Sequence, residues 1–366
     1  MQRLLAFLSA DTGNAQLLAD AASAAFDDQK YDLAQQLVER REAVEPLTAE
    51  LVNLKGMIAL ARQHFDAAAT AFEILLATSG SDPALKFNLA WAKAMTNQWP
   101  AALALLDEAT LAASPRAPSL KIHAMHHLNM YEEGLAAGEH LAQRFPDNHA
   151  LMGALATLAM DAEKPDLALQ YAKRAGQDPE GEAALGFLLL GENNAIQSME
   201  LFDRAISAQP GSPRAWLGKG LSLLASGQAE SAADAIDRGA EMFGTHLGSW
   251  VASGWAHFIA GDRAKARASF ERAISVDPNF SESHGGLAVL DVAEGRIQAA
   301  KRECEIALRL DKNCFGGALA KSLLLQQGGH AQAAQKVREM AMSVPIGVKG
   351  QTIAQALAGM AGGKPR

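Results

Sequence analysis

Of the side chains able to do chemistry, three stand closest together: His123, His126 and His127, in the run HAMHH. On a helix, spacings of three and four put His123 on one face with both others. His123 and His127 could then ligate one metal ion. His140 and His149 lie nearby, so half of the 10 histidines fall within residues 123–149. A zinc-hydrolase helix needs glutamate directly after its first histidine, and Ala124 stands there. Solvated or hydrogen-bonded histidines on a binding surface explain the run without a metal, and such a surface would respond to pH. No GxSxG, phosphate loop or dinucleotide fingerprint is present. Gly218, Lys219 and Gly220 fall inside a helical pattern, and the paired acids Asp27 and Asp28 fall on a turn. The two cysteines, Cys304 and Cys314, lack metal or redox spacing. They read as reduced, buried thiols, which suits a cytoplasm. The expectation is a protein that is not an enzyme, with no cofactor and no metal site.

Composition narrows the classes further. A length of 366 residues suggests two or three globular domains. The formal charge of −8 argues against a general binder of nucleic acid or anionic membranes. Charge is uneven: residues 1–50 carry nine acidic and four basic side chains, and residues 296–366 carry four acidic and eleven basic. Solvated outer faces explain much of this; a basic C-terminal surface for an acidic partner is the sharper reading. The opening MQRLLAFLSADTG is too short an apolar run for a secretory signal and reads as a leading helix. No stretch approaches the length of a membrane span, so no membrane insertion is expected.

The elements that must position any site are read from the run Trp250 to Pro278, WVASGWAHFIAGDRAKARASFERAISVDP. It is two amphipathic helices with a Gly-Asp turn between them and a proline stop after them. Counting residue 247 as position 1, Trp250 is at 4, Gly254 at 8, Gly261 at 15, Ala266 at 20, Phe270 at 24, Ala273 at 27 and Pro278 at 32. Small residues let two helices approach, and large ones fill the space beside them. The pattern recurs from 15, 49, 83, 115, 149, 179, 213, 247, 281 and 315, spaced by 34 except twice. By this count the repeat from 83 is two residues short and that from 149 four short. The repeat from 115 departs most, with Pro118 at position 4 and Gly134 and Gly138 in its second helix. A solenoid grows without new domain boundaries, which overrides the length prior.

These positions resemble the tetratricopeptide repeat (TPR) family, with its period of about 34 residues. The resemblance implies an all-α fold: a right-handed TPR solenoid of antiparallel helix pairs, an α-α superhelix. Residues 1–14 would be an N-terminal capping helix, 15–348 about ten repeats, and 349–366 a C-terminal helix and tail, the helix running from Thr352 to Met360. The family also implies that first helices line an inner face at positions 2, 5, 9, 12 and 13. Carried over, that face holds Asn53, Met57, Phe87, Trp91, Met95, Arg116, His123, His126 and His127. Further on it holds Phe187, Arg214, Leu217, Val251, Trp255, Phe258, Val289 and Leu323. Such an apolar, aromatic face suits an amphipathic helix or extended apolar peptide of a partner protein. Arg116 and Arg214 could catch a carboxylate or phosphate. The expected peptide-binding residues are therefore Phe87, Trp91, Arg116, His123, His126, His127, Phe187, Arg214, Trp255 and Phe258. Packing of Trp91, Trp255 and Phe258 against neighbouring helices is the competing reading. The lysine–asparagine carboxylate clamp of one TPR subgroup is absent, since Ala19 and Ser23 hold its places in the first repeat. The function expected is a non-catalytic scaffold or adaptor, with a bacterial look to its alanine-rich composition. The alternatives are an assembly chaperone or accessory subunit of an envelope, pilus or secretion complex, and a metalloprotein centred on the histidines.

Overall fold

The computed structural model describes residues 2–343, 345–346 and 351–352. Among them are 22 helices and one two-residue antiparallel strand pair, Pro345–Ile346 with Gln351–Thr352. Helix α1 (Gln2–Ala10) precedes ten helix pairs. The first three are α2 (Ala15–Asp27) with α3 (Tyr31–Val44), α4 (Ala49–Ala61) with α5 (Phe65–Ser79), and α6 (Pro83–Met95) with the broken helix α7 (Trp99–Leu105) and α8 (Glu108–Ala113). Next come α9 (Ala117–His127) with α10 (Tyr131–Arg144), α11 (His149–Asp161) with α12 (Pro165–Ala175), and α13 (Pro179–Gly191) with α14 (Ala195–Ala208). The last four are α15 (Pro213–Ala225) with α16 (Ala229–Phe243), α17 (Leu247–Ala260) with α18 (Arg263–Val276), α19 (Ser281–Ala293) with α20 (Ile297–Leu310), and α21 (Phe315–Gln327) with α22 (Ala331–Met342). The chain forms two compact bodies, Met1–Ala154 and Leu155–Arg366, with the division inside α11. Apart from Thr352, which pairs as a strand, the expected C-terminal helix lies outside the described residues.

The turn inside every pair is built the same way. Position 15 has positive φ in all ten repeats: Gln29, Gln63, Asn97, Asn129, Glu163, Asn193, Gly227, Gly261, Gly295 and Gly329. The next residue's N–H then reaches back to the carbonyl at position 11, from Lys30 to Ala25 through His330 to Leu325, at 2.8–2.9 Å throughout. This is the Schellman closure of a helix end. Glycine adopts it freely, and the last four repeats use glycine. The first six pay for it with Gln, Asn or Glu at φ of 57° to 60°.

The start of eight of the ten pairs is also built alike. Asn14, Thr48, Asp82, Asn148, Asp178, Ser212, His246 and Cys314 each accept a backbone N–H from the helix they open. Such caps satisfy donors that the helix cannot.

Between the helices, a buried ring fills the space that glycine leaves. Phe270 is fully buried. A Cβ on Gly254, in the same repeat, would lie 2.5 Å from its ring, and one on Gly286, in the next, 2.3 Å. Phe202 is held likewise between Gly186 and Gly218, at 2.8 and 2.2 Å. In these two repeats position 24 thus locks the repeat to its successor through glycines at 8 and 6. Gly285 meets the chain's own backbone: its Cβ would lie 2.6 Å from the Gly317 nitrogen.

The structure locates each irregularity of the repeat. The fourth first helix begins at Ala117, two residues into the repeat counted from 115, while its turn stays in phase at Asn129. Helix α9 thus has 11 residues where α6 has 13. Tyr131 keeps its place after the turn, so the histidines remain at the C-terminal end of α9. The repeat from 83 has a break in its second helix. Asp107 accepts the Thr110 N–H at 2.9 Å and so starts a new helix, α8, while Lys86 Nζ holds it at 2.7 Å. The four-residue loss in the repeat from 149 falls on α12, which ends at Gly176 with φ of 61°.

Candidate protein-binding site

In the N-terminal body, first helices α6 and α9 position most of the expected residues. Phe87 and Trp91 lie one turn apart on α6 and are half-buried, their ring centroids 6.4 Å apart. Arg116 is exposed and opens α9; its guanidinium lies 4.3 Å over the Trp91 ring. An arginine stacked on tryptophan keeps its N–H edge free for a carboxylate while its face is spent on the ring. The structure therefore brings together Phe87, Trp91 and Arg116.

The histidines are less independent than their spacing suggested. His127 stacks flat on Trp99, centroids 4.0 Å apart and planes 5° apart. His126 packs at 5.9 Å from both His127 and Tyr131. Burial first, then the charges of His126 and His123, hold the His127 imidazole below the usual histidine range. Among the described residues, no group of three or more His, Cys, Asp or Glu converges as a metal would require.

In the C-terminal body, Trp255 and Phe258 lie on α17, edge to face at 5.9 Å and 89°. Both also pack on the chain's own apolar clusters. Trp255 meets Phe270 edge-on at 5.5 Å, and the pair reaches the cluster around Leu287 and that around Val289. They are half-buried, so packing and exposure share them. Phe187 leans on Phe202 at 5.0 Å. Arg214, expected to be open to a ligand, is taken: it grips Asp161 with two hydrogen bonds, 3.1 and 2.8 Å. Nearby His246 is held below its usual range by burial and then by the Arg214 charge.

Several polar features escaped the sequence reading. At position 4, Trp216 and Trp250 donate Nε1–H to carbonyls six residues back, those of Pro210 and Gly244, at 2.9 and 2.7 Å. His284 occupies the same position and places Nε2 2.9 Å from the Pro278 carbonyl, with Nδ1 on Glu303 at 2.8 Å. A slot for a ring N–H recurs at this position, legible in the tryptophans but not in the histidine. Asp237 gathers Ser253 Oγ at 2.6 Å and His257 Nε2 at 2.9 Å. Serine catalysis needs the imidazole on the hydroxyl. Here both groups turn to the carboxylate, and Ser253 and His257 are buried, so this is a packing network. Arg267 and Arg296 bind the buried Asp291 together with Glu294. Burial pushes the Asp291 carboxyl above its ordinary value against the pull of Arg267. Both cysteines are free and buried; burial raises the Cys304 thiol and pushes that of Cys314 up to about 12. Neither is a thiolate near neutral pH.

The comparisons agree with this architecture. Two family profiles, each described as tetratricopeptide repeat, match residues 19–83, 53–118 and 188–245, and residues 247–280. Together they cover just over half of the chain. No curated protein sequence matches. Among solved structures, the chain is similar to a monomeric mutant of IFIT1 with Gppp-AAAA, at 12% identity and a TM-score of 0.55 over 90% of each chain. It also matches MamA 41-end from Desulfovibrio magneticus RS-1 at 19% identity and a TM-score of 0.39, over 45% of this chain and 95% of that one. At such identities the likeness to IFIT1 concerns the fold alone. Among the described residues no helix is long and apolar enough to cross a membrane. With repeat profiles along the sequence and the same two-helix unit built ten times, the chain belongs to the tetratricopeptide repeat family, whose repeats are scaffolds for protein–protein interaction.

Proposed function

We propose that this scaffold holds a peptide or amphipathic helix of a partner protein on the inner faces of its first helices, and that it acts by surface burial rather than catalysis. The observation that carries this reading is the arrangement of Phe87, Trp91 and Arg116: two half-buried rings on adjacent turns, one topped by an exposed guanidinium. Aromatic rings give large contact area at small entropic cost, and arginine fixes register by meeting a carboxylate. In the other body, Phe187, Trp255 and Phe258 offer apolar area of the same kind, and His123, His126 and His127 on α9 are proposed to extend the first site. Replacing Trp91 and Arg116 together by alanine should weaken partner capture by about 2 kcal/mol or more. The double variant should keep its helical circular dichroism and its melting midpoint. Affinity capture followed by mass spectrometry checks this; undiminished recovery of the same partner would move the site elsewhere. Recovery of one client that disappears from cells lacking the scaffold would favour an assembly chaperone.

A further inference from the structure

In the C-terminal body, three successive seams between one repeat's second helix and the next repeat's first helix each pair an acid with a basic side chain, and the last seam does not. Between α14 and α15, Lys219 at position 7 pairs with Asp203 at position 25, at 2.6 Å. Between α16 and α17, Asp237 at position 25 meets His257 at position 11. Between α18 and α19, Arg267 at position 21 faces Asp291 at 11 and Glu294 at 14. The seam between α20 and α21 breaks the rule. Lys301 stands where Arg267 stood, but Leu325 and Gly328 replace the two acids. Lys321 adds a cation at position 7, and Arg309 another two turns along α20. Among the described residues none of these three has an ion-pair partner. The acids' absence leaves a cavity of about 780 Å³, lined by the three cations, Leu308, Leu325 and His330, with Glu305 its one acid.

We infer that this seam is a second binding site, made for an acidic segment of a partner protein that carries an aliphatic side chain between its carboxylates. The volume lies within the range of pockets that hold ligands. Spacing favours a peptide over a small anion. Lys301 and Arg309 are eight residues apart on one helix, roughly 12 Å along its axis. Two carboxylates on one segment match cations so spaced better than a single anion does. An extended chain covers that span in about four residues, which puts acids at i and i+4 with an apolar residue between them to reach Leu308 and Leu325. No residue here is at an inner-face position, so this site stands apart from the one proposed above. It also gives the basic C-terminal surface a defined place.

The test is fluorescence anisotropy on the full chain with a labelled Glu-Ser-Leu-Ser-Glu peptide. Binding should weaken with salt, and should fall at least tenfold when both glutamates become glutamine or the leucine becomes serine. Lys301→Glu with Lys321→Glu should lower affinity at least tenfold. So should Leu325→Asp with Gly328→Glu, which restores the acids of the preceding seam at a glycine whose φ is negative. That second pair keeps the test decisive if charge reversal harms folding. Trp91→Ala with Arg116→Ala should leave this binding unchanged. The inference is overturned if the glutamine or serine peptide binds as well, if either seam variant binds as the native chain does, or if the inner-face variant alone abolishes binding.

Discussion

At the scale of single residues, stability rests on a few atoms of clearance. Phe270 occupies space that exists because positions 254 and 286 lack a side chain. Gly254→Leu should therefore destabilise the protein by about 1–3 kcal/mol through overpacking; a chemical-denaturation midpoint equal to that of the native chain would contradict the packing described. The stacked pair His127 and Trp99 makes a pH prediction. The folded-state imidazole is held below its ordinary value, so folding binds fewer protons than unfolding near that value. This contribution is complete above about pH 6.5 and declines as pH falls through that range towards the depressed value. Melting midpoints at pH 8 and pH 5.5 should thus differ more for the native chain than for His127→Gln. Equal differences would show that the stack carries no such linkage. The glycine at 254 was legible in the sequence because its partner ring sits at a fixed offset. The stack was not, since the sequence placed Trp99 and His127 only at positions 17 and 13, and their meeting depends on how the turn closes.

At the scale of elements, the turn and the cap make each helix pair. The ten left-handed residues at position 15 are one structural device with two chemistries. The sequence announces it where glycine stands and hides it where glutamine, asparagine or glutamate does. Replacing Gln63 by glycine should remove the left-handed strain and raise stability by up to about 1 kcal/mol, less the entropy glycine loses on folding. Thermal denaturation reads this directly, and a loss of stability would mean that the Gln63 side chain contributes more than its backbone costs. The break between α7 and α8 shows the limit of periodic reading. Helical spacing runs on through Leu106 and Asp107, and only the Asp107 cap, with Lys86 beside it, ends one helix and opens another. Lys86 first, then the Thr110 N–H and hydroxyl, hold this carboxyl well below the usual aspartate range.

At the scale of the whole molecule, each repeat is stabilised mainly by its neighbours, as in other solenoids. Within the C-terminal body, α22 is the last helix among the described residues and packs chiefly on α21, whereas α17 and α19 have helices on both sides. Amide hydrogen exchange should accordingly be slowest in α16–α19 and fastest in α22; uniform protection would mean that the body opens as one unit. The sequence by itself determined the all-helical repeat, its period, and the large and small positions that make the pairs fit. Those are properties of spacing, and a helix turns spacing into faces without help from distant residues. The family resemblance added the rings proposed for the inner face. Only the tertiary structure decided which charged groups remain free. Arg214 is bound by Asp161 from two helix pairs earlier, while Lys301 lacks the acids that Arg267 enjoys. Pairing of charges depends on atoms brought within a few ångströms across a seam, and no period in the chain records that distance.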